Sequence, residues 1–269
     1  IEPHHRRDGI ALGLIAVGLY SRAASLSDQF RMLISGAIGS VFYPAFARIR
    51  DRGEPLGPAY LRVCAGYSAV IWPGMAGLAL ASQPIVRLLY GDAWIGVAPL
   101  LTAISLTEIL LVALPLHTDI PILMGRLNRL LVYSLVDTVM SISLLIAGCH
   151  WGVEGAAISR LTYGIAWVLL YARFLHGLMR FDAAALLRIY ARSALATAAA
   201  LAPLALTYAF IVPASHIGLI PLFAAVGTGV VLWFLTLILV RHPALADLLG
   251  IAAHLPLAKN FRPIAKYAR

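Results

Sequence analysis

Long apolar runs alternate with short polar junctions from one end of the chain to the other. Eight apolar stretches stand out, at residues 10–28, 31–47, 63–86, 97–120, 130–149, 153–172, 193–212 and 217–240. Several approach the ~20 residues a helix needs to cross about 30 Å of hydrocarbon. The pattern predicts an all-α, polytopic membrane protein of about eight transmembrane helices.

The junctions alternate in character. With Ile1–Asp8 placed in the cytoplasm, every second junction is basic. These junctions hold Arg6 and Arg7; Arg48, Arg50, Arg52 and Arg62; Arg126 and Arg129; Arg173, Arg180, Arg188 and Arg192; and Arg241, Lys259, Arg262, Lys266 and Arg269, which is 17 of the 21 Lys and Arg. Basic residues in short loops stay on the cytoplasmic side, so both termini are expected inside the cell.

Composition agrees. Hydrophobic residues make up 61% of the chain and charged residues 12%, about half the charged share of a soluble domain. A chain of this makeup needs lipid as the solvent for much of its surface. The net charge of +9 therefore orients the protein and is not read as a nucleic-acid face, because the basic tail lacks interleaved aromatic platforms. Cys64 and Cys149 fall on opposite predicted sides; they are expected to be small buried packing residues without a disulfide. No cleavable signal is expected at the start of the chain.

Within the stretches, the polar run Tyr20–Asp28 is expected to face a cavity or the outer interface. Pro73 and Pro115 are expected to kink their helices, and bent helices around a central site are one way transporters gate. The outer loops, around Leu88–Trp94, His150–Gly152 and Pro213–His216, leave no room for a catalytic domain. Residues 181–187 suggest an interfacial amphipathic helix, and the tail from Arg241 is expected to lie on anionic lipid. No nucleotide-binding glycine loop, serine-nucleophile motif or metal-spaced histidine set is present, and His117 and Asp119 do not share a helical face. No enzyme, no cofactor and no metal site is expected.

Short motifs then point to a family. These are Gly18-Leu19-Tyr20-Ser21-Arg22-Ala23 with Leu26; Val41-Phe42-Tyr43-Pro44-Ala45-Phe46-Ala47-Arg48; Leu88-Leu89-Tyr90-Gly91-Asp92-Ala93-Trp94 followed by Ala98-Pro99-Leu100; and Gly125-Arg126-Leu127-Asn128-Arg129. In this order, over residues 9–175, the chain resembles the carboxy-terminal portion of bacterial polysaccharide and lipopolysaccharide repeat-unit flippases of the multidrug/oligosaccharidyl-lipid/polysaccharide exporter superfamily. The resemblance implies two six-helix bundles around a central cavity, with this chain matching helices seven to fourteen and an amino-terminal bundle lying outside it. It implies a six-helix bundle over 1–175, an interfacial linker over 176–192, two further helices over 193–240 and a basic cytoplasmic tail over 241–269. It implies an inner-membrane location, lipid-linked oligosaccharide as cargo, and membrane lipids, a polysaccharide polymerase and glycosyltransferases as partners. A multidrug or peptidoglycan-precursor exporter of the same fold, or a noncatalytic scaffold in a polysaccharide assembly complex, remains as an alternative.

Four basic residues escape the cytoplasmic clusters: Arg22, Arg31, Arg87 and Arg160. Arg160 falls about two turns into its stretch, where a cation needs a partner or an aqueous cavity. If the cargo carries the undecaprenyl pyrophosphate the resemblance implies, Arg22, Arg31 and Arg160 are candidates to hold it, since arginine–phosphate pairs are strong and directional. Tyr20 and Ser21 are candidates for the sugar-facing wall, with Tyr43, Tyr60, Tyr67 and Ser68 behind them. The structural alternative pairs Arg160 with Glu154 or Glu108, lets Arg22, Arg31 and Arg87 snorkel to headgroups, and places Tyr60, Tyr90 and Tyr171 in interfacial belts. Among the acids within stretches, Asp137 and Glu108 are candidates for ion coupling, and Asp119 reads as an interfacial residue or cap.

Overall fold

The computed structural model describes residues 17–33, 46 and 48–248, the side chains of Val153 and Glu154 excepted. All regular structure among the described residues is helical. Helix α1 covers residues 17–33. It is followed by α2 (Leu56–Leu80), α3 (Ser82–Tyr90), a 3-10 turn (Asp92–Trp94), α4 (Val97–Leu111), α5 (Asp119–Leu123), α6 (Leu127–Cys149), α7 (Gly152–Met179), α8 (Ala183–Phe210) and α9 (Leu219–Leu239). Helices α2, α6, α8 and α9 are each long and apolar enough to cross a membrane, and α4 is a shorter apolar helix. The protein has an all-α, polytopic membrane fold.

The helices pack as neighbours in the order α9, α8, α2, α4, α7, α6, and α1 lies against α2, α3 and α4. Association between apolar helices in lipid depends on close backbone approach at small residues, and the glycines sit where that approach is tightest. A Cβ on Gly229 of α9 would overlap the carbonyl oxygen of Ala200 in α8, and one on Gly155 of α7 would overlap that of Gly148 in α6. At Gly57 of α2 it would lie 3.1 Å from the Met179 carbonyl oxygen and from the Phe181 Cα.

The described basic junctions meet at one end of the bundle. Arg50 Nη1 donates to the Leu123 carbonyl at 2.8 Å, joining the junction before α2 to the one before α6. Gly57 packs on the α7–α8 turn, Arg192 donates to the Arg241 carbonyl at 3.1 Å, and Arg62 pairs with Asp247 at 2.7 Å. At the opposite end, Arg87 pairs with Asp92 at 2.5 Å and donates to the Ser215 carbonyl. It therefore ties the loop before α4 to the loop before α9 and is held by these bonds rather than snorkelling.

Several expectations need correction. The turn expected between stretches 10–28 and 31–47 is absent, because α1 continues through residues 29–31. The polar residues that suggested a junction are satisfied along the helix: Gln29 donates to Ser25 Oγ at 3.0 Å and Arg31 to Asp28 at 3.1 Å. The direction of α1 differs too. Leu19 borders Gly96 just before α4, while Arg31 reaches Glu108 near the other end of α4. Helix α1 thus runs parallel to α4, toward the basic end. Tyr43, named above as a candidate for the sugar-facing wall, lies outside the described residues, as does the tail from residue 249.

Stretch 63–86 is two helices, α2 and α3, broken at Ala81, while Pro73 sits inside a continuous α2. Stretch 97–120 unwinds after Leu111 around Pro115, with Leu116 at φ 56°. Residues 176–192, expected as a linker, are helical except at Arg180–Asp182. There Arg180 takes a left-handed C-cap, and the Asp182 carboxylate accepts from the Ala184 N–H at 2.9 Å to start α8. Of the helix expected over residues 181–187, residues 183–187 form the first turns of α8 and are continuous with it. Cys64 is buried but Cys149 is exposed, and both thiols are free.

Candidate polar site between α1, α4, α6 and α7

Apolar helices do not hold charged side chains unless those charges are paired or face water. Glu108 stands on α4 with its side chain 7% exposed, and Arg31 of α1 brings Nε to 3.0 Å from its carboxylate. Arg31 also binds Asp28 one turn earlier, so one guanidinium holds two carboxylates. Glu108 feels the Arg160 charge as well. The sequence alternative paired Glu108 with Arg160; the close partner is Arg31.

Arg160, on α7, lies with its guanidinium carbon 5.3 Å from the Tyr163 ring, while its Nε is buried with no hydrogen-bond partner among the described residues. Tyr163 reaches the other way and donates its hydroxyl to Asp137 of α6 at 3.0 Å. Tyr20 lines the same small cleft as Arg160, together with Ser141, Leu145, Ser159 and Tyr163. Arg160, Tyr20 and Asp137 therefore gather around Tyr163. Ser27 of α1 and Ser105 of α4 add two buried hydroxyls without partners among the described residues.

Two named candidates stand apart. Arg22 projects to the end opposite the basic junctions, 4.0 Å from the Trp94 ring centroid and 5.3 Å from that of Tyr90, an arrangement worth about 0.5–1 kcal/mol at an exposed site. Ser21 is exposed beside it. Other tyrosine assignments change. Tyr60 is fully buried against Phe181, with ring centroids 5.3 Å apart. Tyr171 is buried in a cluster with Trp167, Phe174 and His117, so neither belongs to an interfacial belt. Ser68 is buried too, hydrogen-bonded to Ser193 at 2.8 Å, and does not line a cavity wall. His117 packs edge-on against Trp167 at 4.8 Å. Among the described residues, no group of three His, Cys, Asp or Glu side chains is placed to hold a metal.

Sequence reasoning missed the aromatic partners of Arg22 and the pairing of Tyr163 with Asp137. The Tyr163–Asp137 contact joins separate helices, and the Arg22–Trp94 contact spans more than seventy residues.

Comparison with known proteins places this geometry in context. A family described as polysaccharide biosynthesis protein matches residues 9–99, within the 9–175 region that carries the motif resemblance. A membrane protein of the cps region of Klebsiella pneumoniae is 27% identical over 151 residues, covering 55% of this chain and 30% of the relative. The lipopolysaccharide biosynthesis protein WzxC of Escherichia coli is 27% identical over 99 residues, 37% of this chain and 20% of the relative. The teichuronic acid biosynthesis protein TuaB of Bacillus subtilis is 23% identical over 118 residues, 44% of this chain and 24% of the relative. No solved structure matches the chain. The aligned region spans less than a third of the length of each of these relatives. At family level, the chain is similar to membrane proteins of polysaccharide and lipopolysaccharide biosynthesis.

Proposed function

We propose that this chain is the carboxy-terminal portion of an exporter that moves lipid-linked oligosaccharide, carried on undecaprenyl pyrophosphate, from the cytoplasmic to the outer leaflet of the inner membrane. Its basic end faces the cytoplasm, in keeping with the side basic loops prefer. The reading is non-enzymatic: the cargo crosses by alternating access and no covalent bond changes.

The observation that carries the reading is the Arg31–Glu108 pair, set between apolar helices, together with the buried Arg160 Nε that has no partner among the described residues. A buried charge pair costs desolvation and is weak evidence for stability, so its placement calls for another role. A phosphate competes directly with a carboxylate for a guanidinium. In this mechanism the cargo pyrophosphate takes Arg31 from Glu108, with Arg160 and Tyr20 completing the hold and Arg22 and Ser21 meeting the cargo at the outer end. Glu108, once released, takes up a cation or proton, and Asp137 does the same through Tyr163. Binding and coupling then share one switch.

The test is genetic and chemical. Cells lacking the gene should accumulate lipid-linked repeat units, and the wild-type gene should clear them. Arg31→Gln, Glu108→Gln and Arg160→Gln proteins, inserted at normal levels, should fail to clear them. Normal clearance by all three would overturn the assignment of the site, and no accumulation in the deletion would overturn the export reading itself.

A further inference from the structure

A second charged feature lies at the basic end, away from the Arg31–Glu108 pair, and the export reading does not use it. Between α6 and α7 is a groove of about 510 Å³ lined by Asn128, Arg129, Tyr133, Arg173, Phe174 and Gly177, with Val132 and Leu178 at its edges. Arg129 and Arg173 come from opposite strands of the helical hairpin. Neither has a hydrogen bond or ion pair among the described residues. Asn128 supplies an amide beside them. The aromatic wall is fixed, since Tyr133 and Phe174 stack with centroids 4.2 Å apart and planes 20° from parallel.

Helical spacing explains the convergence. Arg129 and Tyr133 are four apart on α6, and Arg173 and Gly177 are four apart on α7, so each pair shares one face. Gly177 keeps the groove open: a Cβ built there meets nothing within 4 Å. The groove is therefore basic at its mouth and apolar along its wall. It sits where α6, whose described surface is largely exposed and apolar, reaches the basic end of the bundle.

We propose that this groove binds the phosphate headgroup of an anionic phospholipid of the leaflet at the basic end, with an acyl chain lying along α6. The shared chemistry is a phosphate ester between two guanidiniums. Bilayer lipid is the favoured source because the wall continuing from the arginines is apolar, which a soluble phosphate does not use, and basic pockets between membrane helices suit such headgroups. The chain's own tail is excluded by charge, since residues 249–269 hold Lys259, Arg262, Lys266 and Arg269 and no Asp or Glu. This proposal does not depend on the export reading.

Native mass spectrometry of the intact gene product in detergent tests it, with phosphatidylglycerol or phosphatidylcholine added. The wild type should retain phosphatidylglycerol over phosphatidylcholine, and Arg129→Gln/Arg173→Gln should lower that retention roughly thirtyfold, the effect of two arginines at a membrane surface. Gly177→Leu keeps both charges and fills the groove, so it should lose the lipid as well. If the double variant does not fold, Arg129→Lys/Arg173→Lys should keep the preference while Gly177→Leu still abolishes it. Equal retention of the two lipids by the wild type, or unchanged retention in Gly177→Leu, would overturn the site. Displacement of phosphatidylglycerol by millimolar inorganic phosphate would also overturn it, by assigning the groove to soluble phosphate.

Discussion

Arg31 of α1 and Glu108 of α4 lie 3.0 Å apart, 77 residues apart in the chain. The Glu108 side chain is 7% exposed and that of Arg31 30%. The pair joins the only described part of the chain before residue 46 to the helical row behind it. Removing one member of a fully buried pair costs ~3–5 kcal/mol; the partial exposure of Arg31 lowers this to about 1–3 kcal/mol. Glu108→Ala and Arg31→Ala should each lower thermal stability in detergent, and the double variant should lose less than the two singles combined. Additive losses would mean that the pair is not coupled.

Helices α8 and α9 should be sensitive to a single methyl group. A Cβ at Gly229 would overlap the Ala200 carbonyl, which is backbone and cannot rotate away. Gly229→Ala should push the two helices apart and destabilise the protein by roughly 1–3 kcal/mol, read as a lower melting temperature. Gly227→Ala, a control where the added Cβ meets nothing within 4 Å, should be neutral or slightly stabilising.

Acid should weaken the basic end. His242 follows α9, is 2% exposed, and shares a hydrogen bond of 3.0 Å with Ser193 Oγ. Its Nδ1 accepts from the Ala244 N–H at 3.2 Å, so Nε2 carries the proton and donates to Ser193. Burial, with a smaller push from Arg192, lowers its pKa to about 4, against ~6.5 for an exposed imidazole. The unfolded chain therefore binds the extra proton first as pH falls. Stability held above pH ~6.5 should decline through the window from 6.5 to about 4, by on the order of 2–3 kcal/mol. Melting temperatures taken across this range should show that slope, and His242→Gln should flatten it.

The two thiols should report orientation. The chain has two cysteines; Cys64 is buried in α2 and Cys149 is exposed at the end of α6 away from the basic junctions. In intact cells, a membrane-impermeant maleimide should label Cys149 from outside and leave Cys64 unmodified. Labelling of Cys149 from the cytoplasmic side alone would invert the topology.

Hydropathy made the helical, membrane-spanning class legible, because lipid burial demands long apolar runs whatever they pack against. The basic junctions were legible too; Arg50, Gly57, Arg62 and Arg192 make contacts that hold them at one end. Boundaries were not. Gln29 and Arg31 look like a loop in a hydropathy trace, yet they bond along α1 and to Glu108, so the helix continues. Conversely, the apolar run at Val112–Leu116 looks like helix but unwinds beside Pro115. Arg31, Glu108, Arg160 and Asp137 were recognisable as residues out of place in lipid. Their contacts were not, because Arg31–Glu108 depends on the parallel course of α1 and α4 and Tyr163–Asp137 on the packing of α6 against α7. Arg129 and Arg173 were counted only as orientation charges, and only the α6–α7 packing brings them to one groove.

The most direct test of the central claim is transport itself. The full-length gene product, reconstituted in proteoliposomes with a fluorescent lipid-linked oligosaccharide, is assayed for transfer of the headgroup between leaflets. Transfer by the wild type, lost in a Glu108→Gln protein of normal fold, is the result this account predicts. Wild-type protein that leaves the headgroup in its original leaflet would contradict it.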